Sequence, residues 1–114
     1  SPIPGFRAWL DADQHQSDDR ERPDDARLVG ACARDLTPLR EDGRPVDPVA
    51  RFHLGNGARL VAITANSDRS TRGLERSWGV MANYRYEPED RERNRAALSS
   101  GHPAVGEEVA ALLV

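Results

Sequence analysis

The sequence predicts a small α+β chain built of short helices with one or two strands. Apolar residues recur at helical spacing in Leu28, Cys32 and Leu36, and residues 58–64 form a mostly apolar run of strand length. The 114 residues suffice for one domain. Leu, Ile, Val and Phe make up only about a fifth of them, which is little material for a self-sufficient core. We therefore do not expect a self-sufficient core.

The first third of the chain is predicted to alternate loops with two helices. Two prolines and a glycine make residues 1–5 a turn or extended loop, and a short helix follows over residues 6–10. Residues 11–23 lack apolar periodicity and are predicted to be a flexible loop. A second helix begins near Pro23, because the two aspartates after it favour a helix N-terminus. Its apolar stripe consists of Leu28, Cys32, Leu36 and Leu39.

The middle of the chain is predicted to carry a helix, a strand and a longer helix. Residues 48–54 can form one or two helical turns with a proline at the first position. The Gly-Asn-Gly sequence at residues 55–57 is a tight turn that leads into the strand over 58–64. A helix over residues 69–84 is predicted to follow, capped near Ser67, Asp68 or Ser70 and burying Leu74, Trp78 and Met81.

The last part of the chain is predicted to be largely solvated. Residues 87–95 are a run of charged side chains, interpreted as a solvated connection. Residues 103–113 form a final short helix that presents Val105, Val109 and either Leu112 or Leu113 to the core.

Charge is spread unevenly along the chain. All 16 basic residues are arginine and the net charge is −3, but arginine is in excess over residues 48–86, between two acidic flanks. The acidic flanks, with no basic stripe or stacking platform, argue against nucleic-acid binding, whereas the central excess suits an anionic ligand. No segment is apolar over the length of a membrane helix, and the C-terminus lacks a peroxisomal Ser-Lys-Leu signal. We expect a cytoplasmic protein from a bacterium.

The histidines and the cysteine offer no metal-binding pattern. His15, His53 and His102 stand far apart in sequence, and Cys32 is alone. His15 lies in an acidic loop and His102 precedes a proline, so both are interpreted as surface residues. His53 differs, because it lies between two apolar residues directly before the glycine turn, where a histidine taken by itself is more often structural.

Three segments change that interpretation of His53. Residues 1–10 read SPIPGFRAWL, residues 47–58 read DPVARFHLGNGA and residues 79–86 read GVMANYRY. In this order they resemble the C-terminal part of malonyl-CoA decarboxylases, whose motifs read SPIPGFxxWL, NPVAxFHLxNGA or DPVAxFHLxNGA, and GLMxNYxY. Three ordered matches of this length are far more specific than one short motif.

The resemblance implies a fold, a reaction and three site residues. The family's catalytic domain has the acetyltransferase (GNAT) fold, so the chain would be the C-terminal portion of a GNAT-like fold. The family converts malonyl-CoA into acetyl-CoA and CO2 without a metal or an organic cofactor. Ser1 and His53 match its catalytic serine and histidine, and Tyr86 matches a further active-site position, assigned to substrate binding. His53 would protonate the enolate, and Ser1 would orient the malonyl carboxylate or relay a proton.

The sequence departs from the family pattern in ways that bear on its partners. Residues 11–47 replace a longer stretch, a tryptophan expected after the strand is absent, and the first half of the GNAT-like fold is missing. We therefore interpret residues 1–114 as one partial domain, completed by the missing N-terminal part of the fold or by a second chain, with a homo-oligomer left open. The alternative to an enzyme is a non-catalytic or degenerate acyl-CoA-binding or assembly module of the same lineage.

Overall fold

The computed structural model of the chain describes residues 1–14 and 22–114. The strands in these ranges are β1 (Arg59–Thr64) and β2 (Met81–Arg85), and a 3₁₀ turn spans Pro88–Asp90. The α-helices are α1 (Phe6–Gln14), α2 (Asp25–Leu36), α3 (Pro48–Gly55), α4 (Thr71–Ser77), α5 (Arg91–Ser99) and α6 (Glu107–Leu112). The predicted α+β class, helices with two strands, is confirmed.

The strands pair antiparallel, with Thr64 opposite Met81 and Arg59 opposite Arg85. An irregularity between Leu60 and Ala62 in β1 shifts the register, as a β-bulge does. The strand predicted over residues 58–64 is confirmed as β1.

The outer edge of each strand forms backbone hydrogen bonds with another segment of the chain. On β2, Ser1 and Ala82 exchange both backbone hydrogen bonds, at 2.7 and 3.0 Å, which is the pattern of an antiparallel pair. On β1, the Leu60 N–H donates to the Ala104 carbonyl and the Gly106 N–H donates to the Leu60 carbonyl, each at 2.9 Å. The sheet thereby ties both ends of the chain to its centre.

The core is one apolar cluster to which four helices and both strands contribute. The predicted stripe on α2 is buried at Leu28, Cys32 and Leu36, whereas Leu39 lies beyond the helix and bridges to Pro45. The other large side chains of the cluster are Ile3, Phe6, Leu10, Leu54, Leu60, Ile63, Val80 and Val109.

The first helix is longer than predicted. Four residues assigned to the flexible loop over 11–23, namely Asp11 to Gln14, continue α1. A helix that has formed its first turn gains a backbone hydrogen bond for each residue it adds, so polar residues extend it readily. Residues 15–21 of the predicted loop, including His15, lie outside the described residues.

The single helix predicted over residues 69–84 is wrong. Ser70 caps α4 by accepting a hydrogen bond from the Gly73 N–H at 3.0 Å. The helix ends at Trp78 and Gly79, which have φ values of 56° and 83°, because two consecutive left-handed residues cannot continue it. The chain then reverses into β2. The residues predicted to form its buried face are consequently exposed or half-buried: Leu74, Trp78 and Met81.

The side chains of residues 87–95 are mostly exposed, as predicted, but the segment is not a connection, since it forms the 3₁₀ turn and the first part of α5. Asn94 is the buried residue of α5. Its Nδ2 donates to the Gly57 carbonyl at 2.9 Å, and its Oδ1 accepts from Arg59 at 3.3 Å. A buried amide therefore anchors a helix whose remaining surface carries charge, and such a helix shows little apolar periodicity in the sequence.

The final helix is shorter than the predicted range of 103–113. Val109 is fully buried on α6, as expected. Val105 precedes the helix and bridges to Leu60 at the outer edge of β1. Its contact with the core therefore comes from strand-like pairing instead of helical spacing.

Candidate active site

His53 lies in the last turn of α3, a helix with well-defined ends. At its N-terminus, the Asp47 carboxylate accepts a hydrogen bond from the Ala50 N–H at 2.8 Å. At its C-terminus, Gly57 adopts a φ of 87° and turns the chain into β1. A Cβ at Gly57 would fall 2.7 Å from the Arg91 carbonyl oxygen, so both the turn and the close approach of α5 require glycine.

Both imidazole nitrogens of His53 have hydrogen-bond partners. Nε2 lies 2.9 Å from Ser1 Oγ, and Nδ1 lies 2.6 Å from the Tyr86 hydroxyl. Tyr84 stacks on the ring with the centroids 4.4 Å apart, and Phe52 meets it edge-on at 5.2 Å. Two hydrogen bonds and a stacked aromatic ring thus fix the imidazole.

Strand β2 positions three of the side chains that contact the imidazole, those of Ser1, Tyr84 and Tyr86. Its outer edge holds Ser1 through the paired backbone bonds to Ala82. Tyr84 lies within the strand, and Tyr86 follows one residue after its end. Because side chains two residues apart in an extended chain point to the same face, both tyrosines reach His53.

The environment of the imidazole and of the two tyrosines disfavours their charged forms. Burial lowers the pKa of His53. Burial raises the pKa of Tyr86 and, more strongly, the pKa of Tyr84, to which the charge of Asp47 adds. A neutral imidazole has one N–H donor and one acceptor nitrogen, so it can pass a proton between its two partners.

Two carboxylates are buried behind the imidazole stack. Asp35 in α2 and Asp47 at the start of α3 are 8% and 7% exposed. Burial and the nearby charge of Asp47 raise the pKa of Asp35 to about 6. Burial also raises the pKa of Asp47, although hydrogen bonds from the Ala50 and Val49 backbone oppose the shift. No residue pattern signals this pair, because Asp35 belongs to none of the three motifs.

A cavity of about 500 Å³ opens beside Tyr86. It is mostly apolar, and it adjoins the Nδ1 side of the imidazole through the tyrosine. Its lining residues are Phe52, Asn56, Gly57, Tyr86, Glu87, Pro88 and Arg91. Ser1 lies on the other nitrogen of the ring, so the cavity and the serine flank His53 on different sides.

Across residues 1–14 and 22–114, no three His, Cys, Asp or Glu side chains cluster as a metal ion would need. In the same ranges no helix has the length and apolar character of a membrane span.

Comparison with known proteins places the chain in a family. The family model for the malonyl-CoA decarboxylase C-terminal domain matches residues 25–113. The chain belongs to the malonyl-CoA decarboxylase family. The match contains His53 and Tyr86, whereas Ser1 lies before it.

Two curated malonyl-CoA decarboxylases that match the chain are much longer than it is. The mitochondrial enzyme of Anser anser anser is 43% identical over 83 residues, which is 72% of this chain and 16% of that protein. The mitochondrial enzyme of Rattus norvegicus is 37% identical over 87 residues, 75% of this chain and 18% of that protein. The chain thus spans less than a fifth of the length of these relatives.

Solved structures of malonyl-CoA decarboxylases match almost the whole chain. The structure from Agrobacterium vitis aligns with a TM-score of 0.83 at 37% identity, covering 100% of this chain and 34% of that one. The structure from Rhodopseudomonas palustris aligns with a TM-score of 0.85 at 33% identity, covering 98% and 32%. The structural similarity therefore extends to the N-terminal segment that the family model leaves unmatched.

The structure brings together the three residues singled out as malonyl-CoA decarboxylase site residues, Ser1, His53 and Tyr86. His102 is exposed, as predicted for a surface residue. The contact that the motifs did not reveal is the stacking of Tyr84 on His53. The alternation of Tyr84 and Tyr86 could have indicated it, had residues 81–85 been interpreted as a strand.

Proposed function

We propose that this chain carries the proton-donating site of a malonyl-CoA decarboxylase, which converts malonyl-CoA into acetyl-CoA and CO2. The observation that carries the proposal is the 2.9 Å contact between Ser1 Oγ and His53 Nε2. Membership in the family supports the reaction, and the paired backbone of Ser1 and Ala82 supports a fixed geometry for the serine.

The chemistry requires charge stabilisation and a proton. When the malonyl carboxylate leaves as CO2, the electron pair of the broken C–C bond forms an enolate conjugated with the thioester carbonyl. His53 Nε2–H is the proton source, and the Ser1 hydroxyl orients the carboxylate or relays the proton to the enolate carbon. One solvent proton per turnover restores the imidazole. The thioester itself delocalises the charge, so the proposal needs no metal or organic cofactor.

Tyr86 is proposed to contribute to substrate binding through its ring. The residue is half exposed and lines the apolar cavity, while its hydroxyl is bonded to His53. The excess of arginine over residues 48–86 would favour the approach of an anionic thioester.

We further propose that the chain is part of a larger GNAT-like domain. The antiparallel pairing of Ser1 with Ala82 supports this arrangement, because a strand that ends at Ser1 would continue along the free edge of β2 towards Arg85. That strand would come from the preceding part of the fold or from a second chain. A two-stranded sheet is marginal on its own, and additional strands would stabilise it. The cytoplasmic location remains part of this proposal.

The test is release of CO2 and acetyl-CoA from malonyl-CoA by the full-length protein. We expect His53→Ala to lower kcat by about 100-fold or more, since general acid catalysis contributes on that order. His102→Ala is the matched control, because this histidine is exposed, and it should keep the wild-type rate. Full activity in His53→Ala would refute the assignment. A wild-type protein that binds acyl-CoA without releasing CO2 would favour the non-catalytic module.

A further inference from the structure

The Tyr86 hydroxyl contacts the imidazole nitrogen that faces away from Ser1. The two hydrogen bonds of His53 differ in length, 2.6 Å to Tyr86 and 2.9 Å to Ser1. Since a neutral imidazole carries one ring hydrogen, only two arrangements satisfy both bonds. Either Tyr86 donates to Nδ1 and Nε2–H donates to Ser1, or Ser1 donates to Nε2 and Nδ1–H donates to Tyr86.

The distances and the acidities favour the first arrangement. A separation of 2.6 Å is typical of an O–H donor and short for an N–H donor, whereas 2.9 Å is the usual separation for N–H···O. A phenol is also more acidic than an aliphatic alcohol. Tyr86 is therefore the stronger donor of the two hydroxyls, and Ser1 is the stronger acceptor.

We infer that Tyr86 is a positioning residue, whose hydroxyl donates to Nδ1 and thereby keeps the ring hydrogen of His53 on Nε2, directed at Ser1 Oγ. In this state Ser1 accepts from His53 and keeps its own hydroxyl hydrogen for the substrate. The opposite polarity would make His53 a base that activates Ser1 as a nucleophile, as acyl transfer requires. The inference rests on the proposed decarboxylation, for which proton donation is the useful direction.

The stacking of Tyr84 makes this role separable from simple support of the ring. Tyr84 covers one face of the imidazole at 4.4 Å and Ser1 bonds to Nε2, so we expect both contacts to hold the ring when Tyr86 loses its hydroxyl. Tyr86→Phe keeps the ring that lines the cavity and removes one oxygen atom. The substitution should thus change the position of the ring hydrogen without displacing the imidazole.

The decisive measurement is side-chain ¹⁵N NMR of His53 in the full-length protein, recorded well above the pKa of the imidazole. We expect a protonated Nε2 and an unprotonated Nδ1 in the wild type, and a mixture of both neutral forms in Tyr86→Phe. Tyr84→Phe is the matched control for this signal, because it keeps the hydrogen bonds at both nitrogens. A wild-type protein protonated at Nδ1 overturns the inference, and this readout needs neither a variant nor substrate.

Kinetics supply the second readout. We expect Tyr86→Phe to lower kcat for malonyl-CoA by about tenfold with less than about a twofold change in KM, because the hydroxyl acts on the proton donor. An unchanged kcat, or a loss confined to KM, would contradict the positioning role. Loss of decarboxylation from the wild type itself, with Nε2 still protonated, would instead count against the proposed function.

Discussion

Both outer edges of the sheet are paired through backbone hydrogen bonds, but the two pairings place different groups beside the sheet. At the edge of β2, Ser1 pairs with Ala82 and brings a hydroxyl to within 2.9 Å of an imidazole. At the edge of β1, the segment around Val105 pairs with Leu60 and leads into α6, whose Val109 is buried in the core. One edge therefore holds a residue of the candidate site in place, and the other anchors a helix that packs into the core.

The difference between the edges follows from what each pairing places next to the sheet. A backbone hydrogen bond fixes the direction of the attached side chain to within a narrow range, whatever that side chain is. On β2 the neighbouring groups are polar and half exposed, whereas on β1 they are apolar and buried. The two contributions should thus be separable by substitutions, one at each edge.

The largest expected effect comes from removing the hydroxyl at the β2 edge. Ser1→Ala should lower kcat/KM for malonyl-CoA by about 100-fold, because the proposed relay loses its oxygen. The free energy of unfolding should change by less than about 1 kcal/mol, since both bonds to Ala82 use the backbone. Steady-state assays and urea unfolding measure the two quantities, with the exposed Ser100→Ala as the control. A large loss of stability would show that this edge is structural as well.

The next effect comes from breaking the pairing at the β1 edge. Gly106 has a φ of −77°, which proline accepts, so Gly106→Pro mainly removes the N–H that donates to the Leu60 carbonyl. We expect unfolding to become easier by about 1–3 kcal/mol and the activity per folded molecule to be unchanged. Gly106→Ala keeps the N–H and should cost less. A fall in kcat of the folded Gly106→Pro protein would mean that the edges are coupled.

A third effect concerns the buried carboxylates behind the site. The pKa of Asp35 is raised to about 6 from an ordinary value of 3.8, so between these pH values the folded state holds a proton that the unfolded state has lost. Stability therefore falls as the pH rises through this window, and the penalty is constant above it. Asp35→Asn should raise the free energy of unfolding by about 3 kcal/mol at pH 8, the full linkage of about two pKa units, and by almost nothing below pH about 4.

Urea unfolding at several pH values measures this prediction, with the exposed Asp11→Asn as the control. Destabilisation of Asp35→Asn at pH 8 would show that the ionised carboxylate makes a favourable contact. In that case the ionised Asp35 carboxylate would stabilise the packing of α2 against the site, and α2 would contribute to the site as the β2 edge does.

Sequence reasoning succeeded where local chemistry dominates the structure. Proline, aspartate and glycine define α3 at both ends, and the apolar run defines β1. The helix predicted over residues 69–84 failed because Trp78 and Gly79 end α4 with left-handed conformations, and a tryptophan rarely adopts one. Nothing in a helical spacing of apolar residues could reveal that reversal.

The candidate site was predicted in part, and that prediction came from the motifs instead of local chemistry. Ser1, His53 and Tyr86 came from motif resemblance, and the structure brings them together. The stack with Tyr84 and the burial of Asp35 depend on contacts between distant segments, which periodicity does not encode. The charged residues 87–95 likewise hid a helix, because its anchor is a buried amide, Asn94, instead of an apolar stripe.

The thiol of Cys32, the one cysteine in the sequence, can report on the opening of the core around α2. Cys32 is fully buried, and burial together with the charges of Asp35 and Asp47 raises the pKa of its thiol. Only the thiolate reacts with alkylating reagents, so labelling must wait for α2 to separate from the sheet. The rate of modification by a thiol reagent would therefore time the opening of the layer behind His53, with no engineered label.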